Sequence, residues 1–256
     1  MSRTRALVLT YHAIRAGPPP LCVAPDRLAR DLDLLLAAGF EARPLAVLWE
    51  EDPGAPRAFF CVTFDDGYRD VLERALPVLE ARAVPATLFA IAGDDRRGVP
   101  GGVPGAALLR PDEMGELARR GIAVGAHGLS HVALTDLDDA ALARELGGAR
   151  ERLGAWTGAR VEALSYPFGA FDARVREAAA TAGFRLACTT QLAVVPESFD
   201  PLAVPRLDAC YLGSPLLRAL VARRRPGLYL GARRWLRRAR GREPRRRVPR
   251  SAPQRA

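Results

Sequence analysis

Residues 62 to 68 read VTFDDGY, an apolar run that stops on two adjacent carboxylates, Asp65 and Asp66, just before a glycine. The segment leading into them, AFFCVTF from Ala58 to Phe64, is aromatic and β-branched, the composition of a strand buried on both faces. Gly67 supplies a turn, which puts the acid pair at the C-terminal mouth of that strand, where α/β sheets and barrels build their sites. A solvated Asp-Gly turn is the plain alternative, and the buried strand before it argues against that.

Working outward, the apolar spacing predicts strands at 6–10, 58–64, 86–91, 122–125, 161–165 and 185–189, the last clear one. Helices are predicted at 25–38, 68–82, 111–120, 138–155 and 172–182. Residues 93–109 are rich in Gly and Pro and read as a long loop, a length that is often functional in a compact domain. Regular strand-helix alternation predicts a parallel sheet, closed or partly closed into a barrel.

The 256 residues, 49% of them hydrophobic, suffice for one large α/β domain with its own core. No internal repeat is present, and no apolar run reaches the roughly 18 residues of a membrane span. Leu7 to Leu9 is too short for the apolar region of a signal peptide, so the expected location is cytoplasmic. Cys22, Cys61, Cys188 and Cys210 lack Cys-x-x-Cys spacing, which indicates neither a zinc knuckle nor a redox motif.

All 38 basic residues are arginine, and their distribution is uneven. From Arg218 onward there are 15 Arg against one acid, Glu243, whereas residues 1–217 hold 23 Arg against 28 acids. The expected organisation is therefore a body, 1–217, and an Arg-rich, partly disordered tail, 218–256. The body is mildly acidic, so no specific nucleic-acid partner is expected. LYLGARRWLRRAR, 228–240, mixes Leu, Tyr and Trp with arginine, as a helix on an anionic membrane surface would, which adds peripheral contact with the inner membrane face as an expectation. The segment from Pro244 to Ala256 has nothing to bury and reads as disordered.

Each informative polar cluster follows a strand: Thr10-Tyr11-His12, Asp65-Asp66-Gly67, His127 to His131, and Tyr166 to Gly169. Parallel strands would bring all four to one rim. The chain's three histidines all lie in these clusters. Two imidazoles at H-x-x-x-H spacing and one carboxylate can hold zinc or a similar divalent ion on one side, leaving positions for water and substrate. Asp66, His127 and His131 are assigned as those ligands. Asp65 is then the base that takes a proton from the attacking water without binding the metal itself.

TFDDG, HGLSH and SYPFG, in this order, resemble the signature segments of the polysaccharide deacetylase family, the NodB-homology group of carbohydrate esterases. The likeness runs from about Ala6 to Asp208. It implies a distorted (β/α) barrel with about seven parallel strands, a divalent metal, most often zinc with cobalt, nickel or manganese as alternatives, and hydrolysis of an N-acetyl or similar acyl group on a sugar. Carried across, it makes Asp65 the base, Asp66, His127 and His131 the metal ligands, and Phe168 the residue whose N–H helps hold the oxyanion.

Three departures from the family pattern stand out. Many members place an Arg that orients the base where Ser165 stands here, and Arg206, in VPRLD, is the candidate substitute. The Asp-Trp segment that supports that Arg has no clear counterpart. No His follows His131 to act as general acid; His12 resembles the early His of the poly-N-acetylglucosamine deacetylase branch, which protonates the leaving amine. The resemblance implies an N-acetylated sugar or polysaccharide as substrate, and the expected cytoplasmic location with the basic tail suits a lipid- or nucleotide-linked glycan intermediate of surface-polysaccharide assembly. Two alternatives stay open: hydrolysis of another amide, formyl or cyclic, on the same barrel, and a catalytically silent carbohydrate-binding relative.

Overall fold

A computed structural model describes residues 6–49, 58–93, 99 and 102–239. Its strands are β1 (Ala6–Tyr11), β2 (Glu41–Ala42), β3 (Phe59–Phe64), β4 (Ala86–Ala90), β5 (Ala123–Ala126), β6 (Ala163–Ser165), β7 (Leu186–Leu192) and β8 (Val204–Asp208). β1 pairs in parallel with both β3 and β8, so the circuit β1-β8-β7-β6-β5-β4-β3 closes on itself as a seven-stranded parallel barrel. The two-residue β2 adds outside the circuit on the lower half of β3, at Phe59 and Phe60, below the β4 pairing that starts at Val62.

Period-two alternation sorts the side chains into two layers. Leu7, Leu9 and Tyr11 of β1 and Phe60, Val62 and Phe64 of β3 join the outer layer, packed with helix residues such as Leu28, Leu32 and Leu35. Ala6 and Val8, Phe59 and Cys61, Leu186 and Cys188, and Val204 form the inner cluster. The turn Leu45–Leu48 that follows β2 packs on that inner cluster, and Cys61 bonds Pro44 O, which stoppers the N-terminal end of the barrel. Continuing the inner rows upward gives Thr63 and Asp65 on β3, Ser165 on β6, Thr190 on β7 and Arg206 on β8. The barrel is thus apolar below and polar at its C-terminal mouth.

The covering helices are α1 (Pro25–Ala37), α2 (Leu76–Glu80), α3 (Pro111–Arg119), α4 (Asp139–Thr157), α5 (Ala173–Thr181), α6 (Pro215–Ala222) and α7 (Pro226–Ala239). α1 buries Leu28, Leu32 and Leu35, an i, i+4, i+7 stripe against the barrel. α4 starts where Asp138 accepts the Ala141 N–H at 2.7 Å and ends on Gly158 at φ 68°, a left-handed stop.

Three sequence expectations need correction. The helix expected over 68–82 is wide-wound over Val71–Ala75 and becomes α-helical only at Leu76, because Pro77 has no N–H to give the carbonyl one turn back. The strand at 185–189 extends to Leu192 and is not the last: β8 completes the barrel. The boundary drawn by charge at 217/218 cuts through α6, whose Leu217 and Val221 are fully buried and whose Arg218 pairs with buried Asp31 at 2.8 Å. α7 continues the packing through Leu230. The disorder expected over Pro244 to Ala256, and part of the loop expected over 93–109, lie outside the described residues.

Candidate active site

The four strand-end clusters meet at the barrel mouth around a cavity of about 160 Å³, lined among others by His12, Asp65, Asp66, His127, His131 and Phe168. Ladder bonds continue one step past the strands and fix these residues: Asp65 N–H donates to Tyr11 O at 2.9 Å, His127 N–H to Ala90 O at 2.9 Å and Tyr166 N–H to Cys188 O at 3.1 Å.

Asp66, His127 and His131 are all buried, and one donor atom from each lies within 4.8 Å of the others. Both His127 Nε2 and His131 Nε2 stand 3.5 Å from Asp66 Oδ1. His127 Nδ1 is 2.7 Å from Ser165 O, so that nitrogen carries the proton and Nε2 offers its lone pair to the centre. Burial, and then the neighbouring His127, push the His131 pKa down to about 4, leaving a neutral imidazole at neutral pH. A convergent carboxylate and two imidazoles, that of His127 oriented by Ser165 O, fit a divalent ion such as zinc.

The loop carrying the two histidines is bent, with Gly128 at φ 77° and His131 at φ 55°. Glu145 of α4 secures it by accepting the N–H groups of Leu129 at 2.7 Å and Ser130 at 3.1 Å and the Ser130 hydroxyl at 2.5 Å. Nothing in the spacing around Glu145 marks it: it reads as one more charged helix position.

Asp65 faces the cavity with both oxygens held. Arg206 Nη1 donates to Oδ1 at 2.7 Å and Nη2 to Oδ2 at 2.6 Å, while the Ser165 hydroxyl reaches Oδ2 at 3.2 Å. The other N–H groups of Arg206 go to Thr63 Oγ1 at 3.1 Å, Ser165 Oγ at 2.9 Å and Thr189 O at 3.1 Å, so all five donors are used. Burial alone would raise the Asp65 pKa; the Arg206 charge and hydrogen bonds more than reverse it and hold the carboxyl well below the ordinary range. Thr63 and Thr189 escaped the sequence reading, although Thr63 sits on the inner row that ends in Asp65.

His12 is half-buried at the mouth, its Nδ1 enclosed and without a hydrogen-bond partner. Phe168 occupies the turn Pro167–Gly169 at φ 58°, with its ring exposed and 4.5 Å from the His131 ring. The hydrogen bonds of that turn run from Gly169 to Tyr166 O and from Ala170 to Pro167 O. Gly169 cannot carry a side chain, since a Cβ would lie 2.1 Å from Thr190 Oγ1. A larger cavity, 370 Å³, lies apart from these groups between β7, the connection after it and α7; consecutive residues Thr190 and Gln191 line one cavity each.

A family model described as polysaccharide deacetylase matches residues 54–187, more than half of the chain. The chain belongs to the polysaccharide deacetylase family. Among curated proteins, YxkH of Bacillus subtilis (strain 168), named for the same family, is 24% identical over 187 residues, 72% of this chain. The chain spans 64% of that relative's length. Among solved structures, IcaB from Ammonifex degensii superposes with a TM-score of 0.73 at 24% identity, covering 87% of this chain and 97% of that one. The Streptococcus pyogenes deacetylase PplD, in complex with acetate, gives 0.69 at 23% identity, covering 80% and 92%. At these identities the superpositions establish the shared NodB-type barrel.

Proposed function

We propose that this polysaccharide deacetylase family member is a metal-dependent N-deacetylase that hydrolyses the acetamide of an amino sugar. The observation that carries the reading is the meeting, at one barrel mouth, of the Asp66, His127 and His131 donor set with the separately ion-paired carboxylate of Asp65.

A divalent ion held by those three residues would supply Lewis acidity toward water and the acyl carbonyl. Asp65 accepts the proton of the attacking water as the new C–O bond forms, and Arg206 keeps its carboxylate ionised and aimed. The Phe168 N–H stabilises the tetrahedral oxyanion. His12 gives its proton to the nitrogen as the C–N bond breaks, which releases acetate and a free amine. Because Arg206 lowers Asp65's basicity, orientation is the larger part of what it provides.

What supports the acyl group removed is that PplD, which shares the fold, is described as a deacetylase in complex with acetate. We place the reaction on a glycan intermediate in the cytoplasm, with α7 against the inner membrane face. What supports the latter is that Leu228 and Trp235, seven residues apart on α7, are exposed beside arginines with no acid on the helix.

The test is amine release from N-acetylglucosamine oligomers and from a lipid-linked N-acetylhexosamine, with zinc, cobalt or chelator, for the native chain and Asp65→Asn. Metal-dependent release abolished by the substitution is expected. Stoichiometric metal binding without release from either substrate would return the site to another amide or to a silent relative.

A further inference from the structure

Ser165 ends β6, the strand that lies between β5, which leads into His127, and β7, which carries Thr189. It is fully buried. Its parity on the strand is that of Ala163, a member of the inner cluster, so its side chain points into the barrel while the peptide after it lies in the wall between β5 and β7. One residue thereby addresses two neighbourhoods.

The main chain serves the first. The peptide linking Ser165 to Tyr166 is held at both ends: its N–H donates to Cys188 O on β7 at 3.1 Å, and its carbonyl oxygen accepts from His127 Nδ1 at 2.7 Å. A peptide whose N–H is already engaged offers a more polarised carbonyl, and the ladder keeps that carbonyl in place. It fixes the plane of the imidazole and the tautomer that leaves Nε2 free toward Asp66.

The hydroxyl serves the second. It accepts from Arg206 Nη2 at 2.9 Å and donates to Asp65 Oδ2 at 3.2 Å, while Nη2 itself reaches the same Oδ2 at 2.6 Å. The three atoms form a closed triangle. The hydroxyl also takes up a guanidinium N–H that would otherwise be buried without an acceptor.

We propose that Ser165 is a positioning residue that sets two partners of the reaction from one point on β6: its carbonyl orients the metal-binding imidazole of His127, and its hydroxyl holds the Arg206 guanidinium against the Asp65 carboxylate. The spacing between an ion and a base that must act on one water is then fixed by a single residue. This rests on the reading of Asp66, His127 and His131 as a metal site and of Asp65 as the base.

The test uses the full chain, freed of metal by chelation and then loaded with zinc. In the metal-free native chain, nitrogen-15 NMR is expected to show His127 protonated at Nδ1 and slowly exchanging guanidinium protons on Arg206. Ser165→Ala keeps the carbonyl and removes the hydroxyl. It is expected to retain the His127 tautomer and the native zinc affinity by calorimetry, to speed exchange of the Arg206 guanidinium protons, and to lower kcat by about 10–100-fold at unchanged KM. A generally loosened barrel would instead weaken zinc binding and raise KM as kcat fell. Native kcat or native Arg206 exchange in Ser165→Ala, or zinc affinity lost in step with kcat, would overturn the role of the hydroxyl. His127 protonated at Nε2 in the native chain would overturn that of the carbonyl, and this measurement stands even if the variant folds poorly. A native chain that binds neither zinc nor cobalt would instead remove the metal reading beneath the proposal, whatever the metal-free spectra show.

Discussion

Arg206 and Asp65, 141 residues apart in the chain, lie side by side at the barrel mouth with two parallel hydrogen bonds of 2.7 and 2.6 Å between guanidinium and carboxylate. Both side chains are buried, so removing one partner strands the other's charge. Arg206→Ala is expected to cost about 3–5 kcal/mol, read from urea unfolding, and the double variant Arg206→Met/Asp65→Leu less than that. Simple addition of the two single costs in the double variant would show that the pair is not coupled.

The same pair gives stability a pH dependence whose sign is fixed. Asp65's folded pKa lies below its unfolded value of about 3.9, so its contribution is complete from about one pH unit above that value upward and fades as pH falls. Urea midpoints should drop below about pH 5 in the native chain, and drop less steeply in the double variant, where neither charge remains. Equal slopes would assign the acid sensitivity to other carboxylates.

His12→Ala should lower kcat by about 10²–10⁴ while leaving zinc affinity unchanged, because the imidazole lines the cavity outside the Asp66, His127 and His131 donor set. Near-native kcat on an N-acetylated sugar would hand protonation of the amine to another group or to water.

Glu145→Ala should release the loop between the two histidines and weaken zinc binding by about 10–100-fold, with Glu145→Gln falling between, since an amide oxygen can keep only part of the three bonds. Calorimetry on the three proteins decides it. Native affinity in the alanine variant would mean that the loop holds its shape unaided.

On vesicles, the native chain should sediment with anionic lipid and not with neutral lipid, and Leu228→Ser/Trp235→Ser should reduce that binding at constant charge. Sedimentation unaffected by the double substitution would leave only nonspecific attraction by the arginines.

Much of this architecture was legible because strand ends announce themselves. ALVLTYH and FFCVTFDD each show an apolar run giving way to chemistry, and a parallel barrel brings such ends together. β8 was hidden for the opposite reason. VPRLD has a proline and a charge in five residues, which argues against a central strand until Arg206 is seen to find five acceptor contacts inside the barrel. Glu145 acts through backbone groups of a distant loop, and residue spacing does not encode such contacts. Likewise, the charge step near Arg218 is real, yet charge does not report packing: Leu217, Val221 and Leu230 bury the helices on both sides of it.

The alternation that divides inner from outer side chains also sets a reading frame for the chemistry. Along β3 and one step past it the inner row runs Phe59, Cys61, Thr63, Asp65, so the core and the cavity-facing carboxylate share one parity. Inserting a single residue ahead of Phe64 would turn Asp65 toward the helices and carry Phe64 from the outer row into the barrel. Evolution can therefore rewrite the residues at the mouth one by one, but it can change strand length only in steps of two.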